Sequence, residues 1–143
     1  MSNFDTANAI EDNLHTVLEA LGINFTREAY DNEAAISAAL LPHGQIFYLG
    51  EDFAYNHGEK PLYAEIRFLI RVVLRERDAA DIGREQRRWV HLIRDNITID
   101  ALNIGDLAGS KLVSRASTDG VDTENNAPRA AIRYRVSVRY REI

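Results

Sequence analysis

Several absences narrow what this chain can be. The 143 residues include no cysteine, which excludes disulfide bonds, thiolate metal sites and cysteine nucleophiles. No run of 18 apolar residues occurs, so we expect no membrane span. The opening residues, MSNFDTANAIEDNL, are acidic and lack the apolar centre of a signal peptide, so we expect synthesis in the cytosol. The length fits one domain over residues 1–143.

Lysine is also scarce, and the charges are unevenly distributed. Lys60 and Lys111 are the only lysines, so nearly all the basic side chains are arginines. Residues 1–60 hold ten acidic and two basic side chains, whereas residues 61–143 hold twelve and fifteen, within a net charge of −5. Separate acidic and basic regions on one molecule favour head-to-tail self-assembly.

Two long stretches alternate between apolar and basic residues. Residues 62–75 read LYAEIRFLIRVVLR, and residues 129–142 read RAAIRYRVSVRYRE. Because successive side chains of a strand face opposite sides, each stretch predicts one long strand with an apolar face and an arginine face. The basic positions singled out as candidate site residues are Arg67, Arg71, Arg133, Arg135, Arg139 and Arg141.

The remaining patterns predict two helices, two further strands and polar connections. The first helix is expected to begin at a cap on Asp5 or Thr6 and to end near Leu21, and the second to begin at Asp78 or Asp81 and to end near Asn96. We expect strands at residues 24–27, 45–49 and 111–118, a helical turn or irregular chain at 31–40, and loops at 50–61, 97–109 and 119–128. Together these elements predict an α+β fold: an antiparallel sheet of about four strands with both helices packed on its apolar face.

The arginine face of such a sheet has two interpretations. Its arginines either lie in solvent and pair with acidic side chains of neighbouring strands, or they form a protein–protein interface, where arginine is enriched and lysine depleted. The sequence leaves both open. In either case the face is predicted to have no cover from the rest of the chain.

No enzyme motif is present. The four histidines form no HExxH pattern or His cluster, and neither a GxSxG elbow nor a GxxxxGK[ST] phosphate loop occurs. His57 near Glu51 is the only candidate for acid–base chemistry, and a solvated acidic loop explains it better. We therefore predict no enzyme, no cofactor and no metal ion.

Nucleic-acid binding is a weaker alternative. Tyr134 and Tyr140 are interleaved with arginines, as on a base-stacking platform, but their parity places them on the apolar face. The sequence pI of about 5.3 also lacks the basic charge of a typical phosphate binder. A local role, such as lining a channel that DNA crosses, stays open.

Three segments, in order, resemble one known family. Residues 40–49 read LLPHGQIFYL, residues 84–97 read REQRRWVHLIRDNI, and residues 129–143 read RAAIRYRVSVRYREI. This order is similar to that of the small tail-terminator (tail-completion) proteins of long-tailed bacteriophages. Other head–tail connector or neck proteins of similar size are the alternative.

The resemblance implies a structural role in the virion tail. Members of the family fold as helices on a sheet and assemble as a ring, typically of six subunits, on the last ring of the tail tube. The ring stops tube growth and presents the surface that joins the head. The implied partners are other copies of this chain, the tail-tube protein and the head–tail connector protein, with DNA only passing through.

For this chain, the resemblance leads to a prediction about surfaces. We expect Arg133, Arg135, Arg139 and Arg141 to face a neighbouring subunit or the lumen, with Arg67 and Arg71 as further candidates. The loops at residues 50–61 and 119–128 would then reach the tube or the connector.

Overall fold

The computed structural model of the chain describes residues 2–25, 36–55, 61–125 and 129–142. The elements in chain order are α1 (Asn3–Ala20), β1 (His43–Tyr55), β2 (Pro61–Val73), α2 (Ala79–Asn96), the short α3 (Ile99–Leu102), β3 (Val113–Glu124) and β4 (Ala131–Arg141). The strands form one sheet in the order β1-β2-β4-β3, with every neighbouring pair antiparallel. The predicted α+β fold is confirmed.

The register of the two alternating strands places all their apolar positions on one face. Ile70 of β2 pairs with Tyr134 of β4, and Phe68 pairs with Val136. These side chains are buried. They pack in one core with the apolar side chains of both helices, which include Ile10, Leu14 and Leu18 of α1 and Trp89 and Ile93 of α2. Both helices therefore cover the same face, as predicted.

The start of α1 differs from the prediction. Ser2 is the N-cap, not Asp5 or Thr6. The Ser2 hydroxyl accepts a hydrogen bond from the Asp5 amide at 3.1 Å, and the Asp5 carboxylate accepts one from the Ser2 amide at 3.0 Å. This reciprocal pair satisfies two amides that a helix start otherwise leaves unpaired. The second helix has Asp78 at its N-cap and ends at Asn96, as predicted.

Two predicted loops are partly strand. Strand β1 runs on through residues 50–55, and β3 runs on through residues 119–124. Each strand contains a register shift, between Tyr48 and Gly50 in β1 and between Thr118 and Gly120 in β3, that absorbs one extra residue while pairing continues. Gly50 has a φ of 111°, which side chains disfavour, so glycine suits this bulge. Of the rest of these loops, Pro61 begins β2 and Asn125 is irregular, while residues 56–60 and 126–128 lie outside the described residues.

Two other connections also carry structure. The predicted loop at 97–109 contains α3 and a 3-10 turn, Gly105–Leu107. Of the strand predicted at 24–27, Asn24 forms an isolated bridge with His43, and residues 26 and 27 lie outside the described part. The segment predicted at 31–40 ends in a 3-10 turn, Ala38–Leu40, while residues 31–35 lie outside it.

The face opposite the helices is covered at one end. Ile36 and Leu41 pack there against Val73 and Ala131 in a second, smaller apolar cluster. Arg129 fixes this cover, because its Nη1 donates to the Ile36 carbonyl at 2.6 Å. The prediction that this face lacks any cover from the chain is therefore wrong at this end.

Candidate assembly surfaces

The six predicted arginines lie together on the face of the sheet opposite the helices. Arg71 pairs in register with Arg133, and Arg67 pairs with Ser137. The other three, Arg135, Arg139 and Arg141, continue along the same side of β4. We call this surface the arginine face. It is built by the alternation of β2 and β4 alone, because antiparallel pairing keeps residues of one parity on one side.

Three of these arginines form ion pairs with carboxylates of other strands. Arg67 pairs with Asp52 of β1. Arg135 pairs with Asp122 of β3 at 3.3 Å. Arg71 reaches Glu124 at the end of β3 at 2.8 Å. The charges of these three arginines are therefore paired within the single chain, by carboxylates on other strands.

The other three contact no carboxylate within the described part of the chain. The guanidinium of Arg139 lies 4.2 Å from the centre of the Tyr63 ring, and its Nε is buried without a hydrogen-bond partner. Arg141 donates to the Ser110 carbonyl at 3.4 Å. Arg133 lies opposite Arg71 of β2, whose like charge repels it, and opposite Asp122 of β3, which pairs with Arg135. These three arginines are therefore the part of the arginine face whose charge no described ion pair neutralises.

The two tyrosines of β4 offer no stacking surface on the arginine face. Tyr134 and Tyr140 are fully buried on the helix-covered side of the sheet. The burial of Tyr134 raises the pKa of its hydroxyl. This placement agrees with the parity prediction and argues against a stacking platform for single-stranded nucleic acid.

The outer edge of β1 is a surface that the sequence reading missed. Asn24 bridges its first residues, and beyond Gly44 no described strand pairs with that edge. Large apolar side chains of β1 are exposed, namely Phe47, Tyr48, Leu49 and Phe53. Phe4 of α1 and Leu62 of β2 are exposed as well. Neither lysine nor proline, which commonly protect free edges, occurs in β1. The unbroken apolar run IFYL at residues 46–49 could have indicated this surface. A strand with one face in solvent alternates apolar and polar residues instead.

Beside this edge lies a cleft between α1 and the sheet, with a volume of about 290 Å³. We call it the α1–β1 cleft. Tyr48 and Phe68 meet edge to face on its strand side, with ring centres 6.4 Å apart. Its lining consists of Phe4, Ala7, Asn8 and Glu11 of α1, Tyr48 and Glu51 of β1, and Ile66 and Phe68 of β2.

Two tyrosines hold the carboxylate of Glu51. Tyr140 donates to its Oε1 at 3.1 Å, and Tyr48 donates to its Oε2 at 3.2 Å. Burial, with the charge of Glu51 second, raises the pKa of Tyr140. Burial and the same charge raise the pKa of Glu142, whose Oε1 accepts from the Asn3 side chain at 3.1 Å. The surroundings of the cleft are therefore acidic, and Glu51 is a fixed acceptor. His57, predicted from the sequence to lie in a solvated acidic loop near Glu51, lies outside the described residues.

The outward side of α2 carries exposed arginines. Arg88 lies 4.7 Å from the centre of the Trp89 ring and pairs with Glu85 at 3.0 Å. The hydrogen bond from Arg88 lowers the pKa of Glu85. Arg84 and Arg87 are exposed and form no ion pair with any described residue. They stand one turn apart on the same side of the helix.

Other kinds of site find little support in the described ranges. They contain no group of three or more His, Cys, Asp or Glu side chains placed to hold a metal ion. None of their helices has the length and apolar character that a membrane crossing needs. A comparison with protein-family models and with curated proteins finds no match.

Proposed function

We propose that this chain is a structural protein of a bacteriophage tail that forms a ring on the end of the tail tube. The ring ends tube growth and presents the surface to which the head attaches. The observation that carries the proposal is the pair of unlike surfaces on one sheet. The edge of β1 is apolar and adjoins the acidic α1–β1 cleft, and three arginines of the arginine face form no ion pair with a described residue.

A closed ring needs this kind of asymmetry. In a cyclic ring of more than two subunits, one patch of each subunit meets a different patch of the next subunit. α1 and β1 contain no lysine or arginine, whereas β4 contains four arginines. An arginine that forks onto a carboxylate across such a contact sets register and orientation. Residues 40–49, 84–97 and 129–143 resemble segments of tail-terminator proteins, and this resemblance is why we propose a terminator ring in particular.

The arginines have different roles in this proposal. Arg67, Arg71 and Arg135 pair with carboxylates of their own subunit. Arg133 and Arg139 form no ion pair with a described residue, and they face a neighbouring subunit or the lumen. In the lumen, their charge would meet the phosphates of DNA that passes through the ring.

The test is a double charge reversal, Arg133→Glu with Arg139→Glu. We expect circular dichroism like that of the parent protein and loss of both ring formation and binding to purified tail tubes. The matched control reverses Arg75 and Arg77, which are exposed outside the sheet, and should change neither property. Rings that form normally from the Arg133/Arg139 variant would contradict the role given to the arginine face.

A head–tail connector would also form a ring. Tube assembly reactions separate the two functions. A terminator added to polymerising tube protein stops elongation and fixes tube length, whereas a connector leaves elongation unchanged.

A further inference from the structure

We propose that the α1–β1 cleft binds an arginine of α2, Arg84 or Arg87, from a second copy of this chain. This inference rests on the proposed ring and identifies the contact between its neighbouring subunits. At the cleft it assigns recognition to arginines of α2, and Arg133 and Arg139 keep the role proposed for them above.

The chemistry of the cleft matches a guanidinium. Phe4, Tyr48 and Phe68 provide aromatic surface, and Glu11 and Glu51 provide carboxylates. Arginine stacks its flat group on aromatic rings and donates in a fork to carboxylates, which a lysine cannot do equally well. A volume of about 290 Å³ is at the lower limit for small-molecule sites and suits one long side chain. The side chain of Phe4 is 74% exposed, and exposed apolar surface of this kind is typical of an interaction site.

The three paired arginines of the sheet are poor candidates for this cleft. Arg67, Arg71 and Arg135 are already bound to Asp52, Glu124 and Asp122. Their transfer to another carboxylate would break an existing pair for each new one. Arg84 and Arg87 have no such pair among the described residues, so their binding adds an interaction.

The topology explains why the arginine must come from another molecule. α2 packs over β4 and β3, whereas the cleft lies beside β1, at the opposite edge of the sheet. β2 and β4 lie between these edges, and three strand spacings of about 4.8 Å separate β1 from β3 by roughly 14 Å. A contact between α2 and the cleft is therefore heterologous, as a ring requires.

Strand direction makes the same contact feasible. In the order β1-β2-β4-β3 with antiparallel neighbours, β1 and β3 run in opposite directions. The β3 edge of a second copy can therefore lie beside the free edge of β1 and continue the alternation. Since both helices cover the same face, this placement brings the second copy's α2 next to α1 and its cleft.

A charge-swap experiment on the full chain tests the pairing. Glu11→Lys alone, and Arg84→Glu or Arg87→Glu alone, should raise the concentration needed for half-assembly at least tenfold by light scattering. Combining Glu11→Lys with the reversal of the correct arginine should restore assembly to within about threefold of the parent protein. Glu19→Lys, exposed on α1 outside the cleft, is the matched control and should have no effect. Phe4→Ser removes an exposed wall without disturbing the core and should also weaken assembly tenfold.

The outcomes distinguish the two proposals. If the parent protein forms rings and neither Glu11→Lys nor Phe4→Ser weakens them, the cleft inference is wrong and the ring proposal stands. Weakening by Glu11→Lys that neither arginine reversal rescues would overturn the assigned partner. A parent protein that never associates, alone or on tail tubes, would overturn both.

Discussion

The guanidinium of Arg71 on β2 forms two hydrogen bonds with the carboxylate of Glu124 on β3, across the intervening strand β4. Arg71 Nε donates to one oxygen at 2.8 Å, and Nη2 donates to the other at 3.3 Å. Both side chains are about three-quarters buried, with exposed fractions of 21% and 26%. This fork joins two strands that share no backbone hydrogen bond.

The first prediction concerns the stability that this pair contributes. Glu124→Gln removes the charge that faces Arg71, and we expect a loss of roughly 1–2 kcal/mol in the free energy of unfolding, measured by urea denaturation. Asp95→Asn is the control, because it removes a carboxylate from an exposed ion pair. The Asp95 side chain is 67% exposed, and its Oδ1 lies 3.7 Å from Nε of Arg94. This substitution should change stability by less than about 0.5 kcal/mol. Equal effects of the two substitutions would contradict a special role for the Arg71–Glu124 pair.

The second prediction concerns the free edge of β1. Phe47→Lys places a charge beside the unpaired edge, and we expect weaker self-association with an unchanged melting temperature. Ile99→Lys is a matched control, since Phe47 and Ile99 are both 43% exposed and Ile99 lies in α3. Sedimentation velocity of the two variants gives the comparison. Similar losses of association in both would show that general surface hydrophobicity, and not the β1 edge, drives it.

The third prediction uses the raised pKa of Glu142. An acid whose pKa is raised in the folded state lowers stability as pH rises through the interval above its unfolded pKa of about 4.3. Its Oε2 is also buried without a hydrogen-bond partner among the described residues. Glu142→Gln keeps an oxygen for Asn3 and should raise Tm by about 1–3 °C at pH 7, with no gain at pH 3.5.

The exposed Glu19→Gln variant controls for the general loss of one negative charge. A gain in Tm at pH 7 that is the same for both variants would contradict a specific cost at Glu142.

The fourth prediction concerns His43. Burial lowers its pKa from the usual 6.5, so the folded state favours the neutral ring. Above about pH 6.5 the free energy of unfolding does not depend on the protonation of His43. Below that value it falls as pH drops, by at most about 1.4 kcal/mol per pH unit. Urea denaturation between pH 5 and 7.5 should show this slope in the parent protein and a smaller slope in His43→Gln. Identical slopes would exclude His43 as the source.

The alternating strands were the most predictable part of the fold. β2 and β4 follow from side-chain parity alone, and so does the placement of Arg133 opposite Tyr134 across the plane of the sheet. The extensions of β1 and β3 were missed because the register shifts near Gly50 and Gly120 look like turns in a sequence. Sequence alone does not distinguish a polar residue of a strand from a polar residue of a loop, because the difference depends on pairing with a partner strand.

The surfaces were less predictable, for a physical reason. Glu124 lies 53 residues from Arg71 in the chain, so only the strand order brings the two together. The exposure of β1 likewise depends on its being an edge strand, which no local pattern encodes. The cleft beside it requires α1 and β1 together, and they are separated by the residues between 20 and 43.

The central claim is that this chain forms a closed ring from unlike contacts. The most direct test is the mass of the purified protein over a range of concentrations, by light scattering behind a sizing column, with and without purified tail tubes. The account predicts a rise from the 16.2 kDa chain to a discrete species near six times that mass, with no larger polymer. A mass of 16.2 kDa at every concentration, together with no binding to tail tubes, would contradict it.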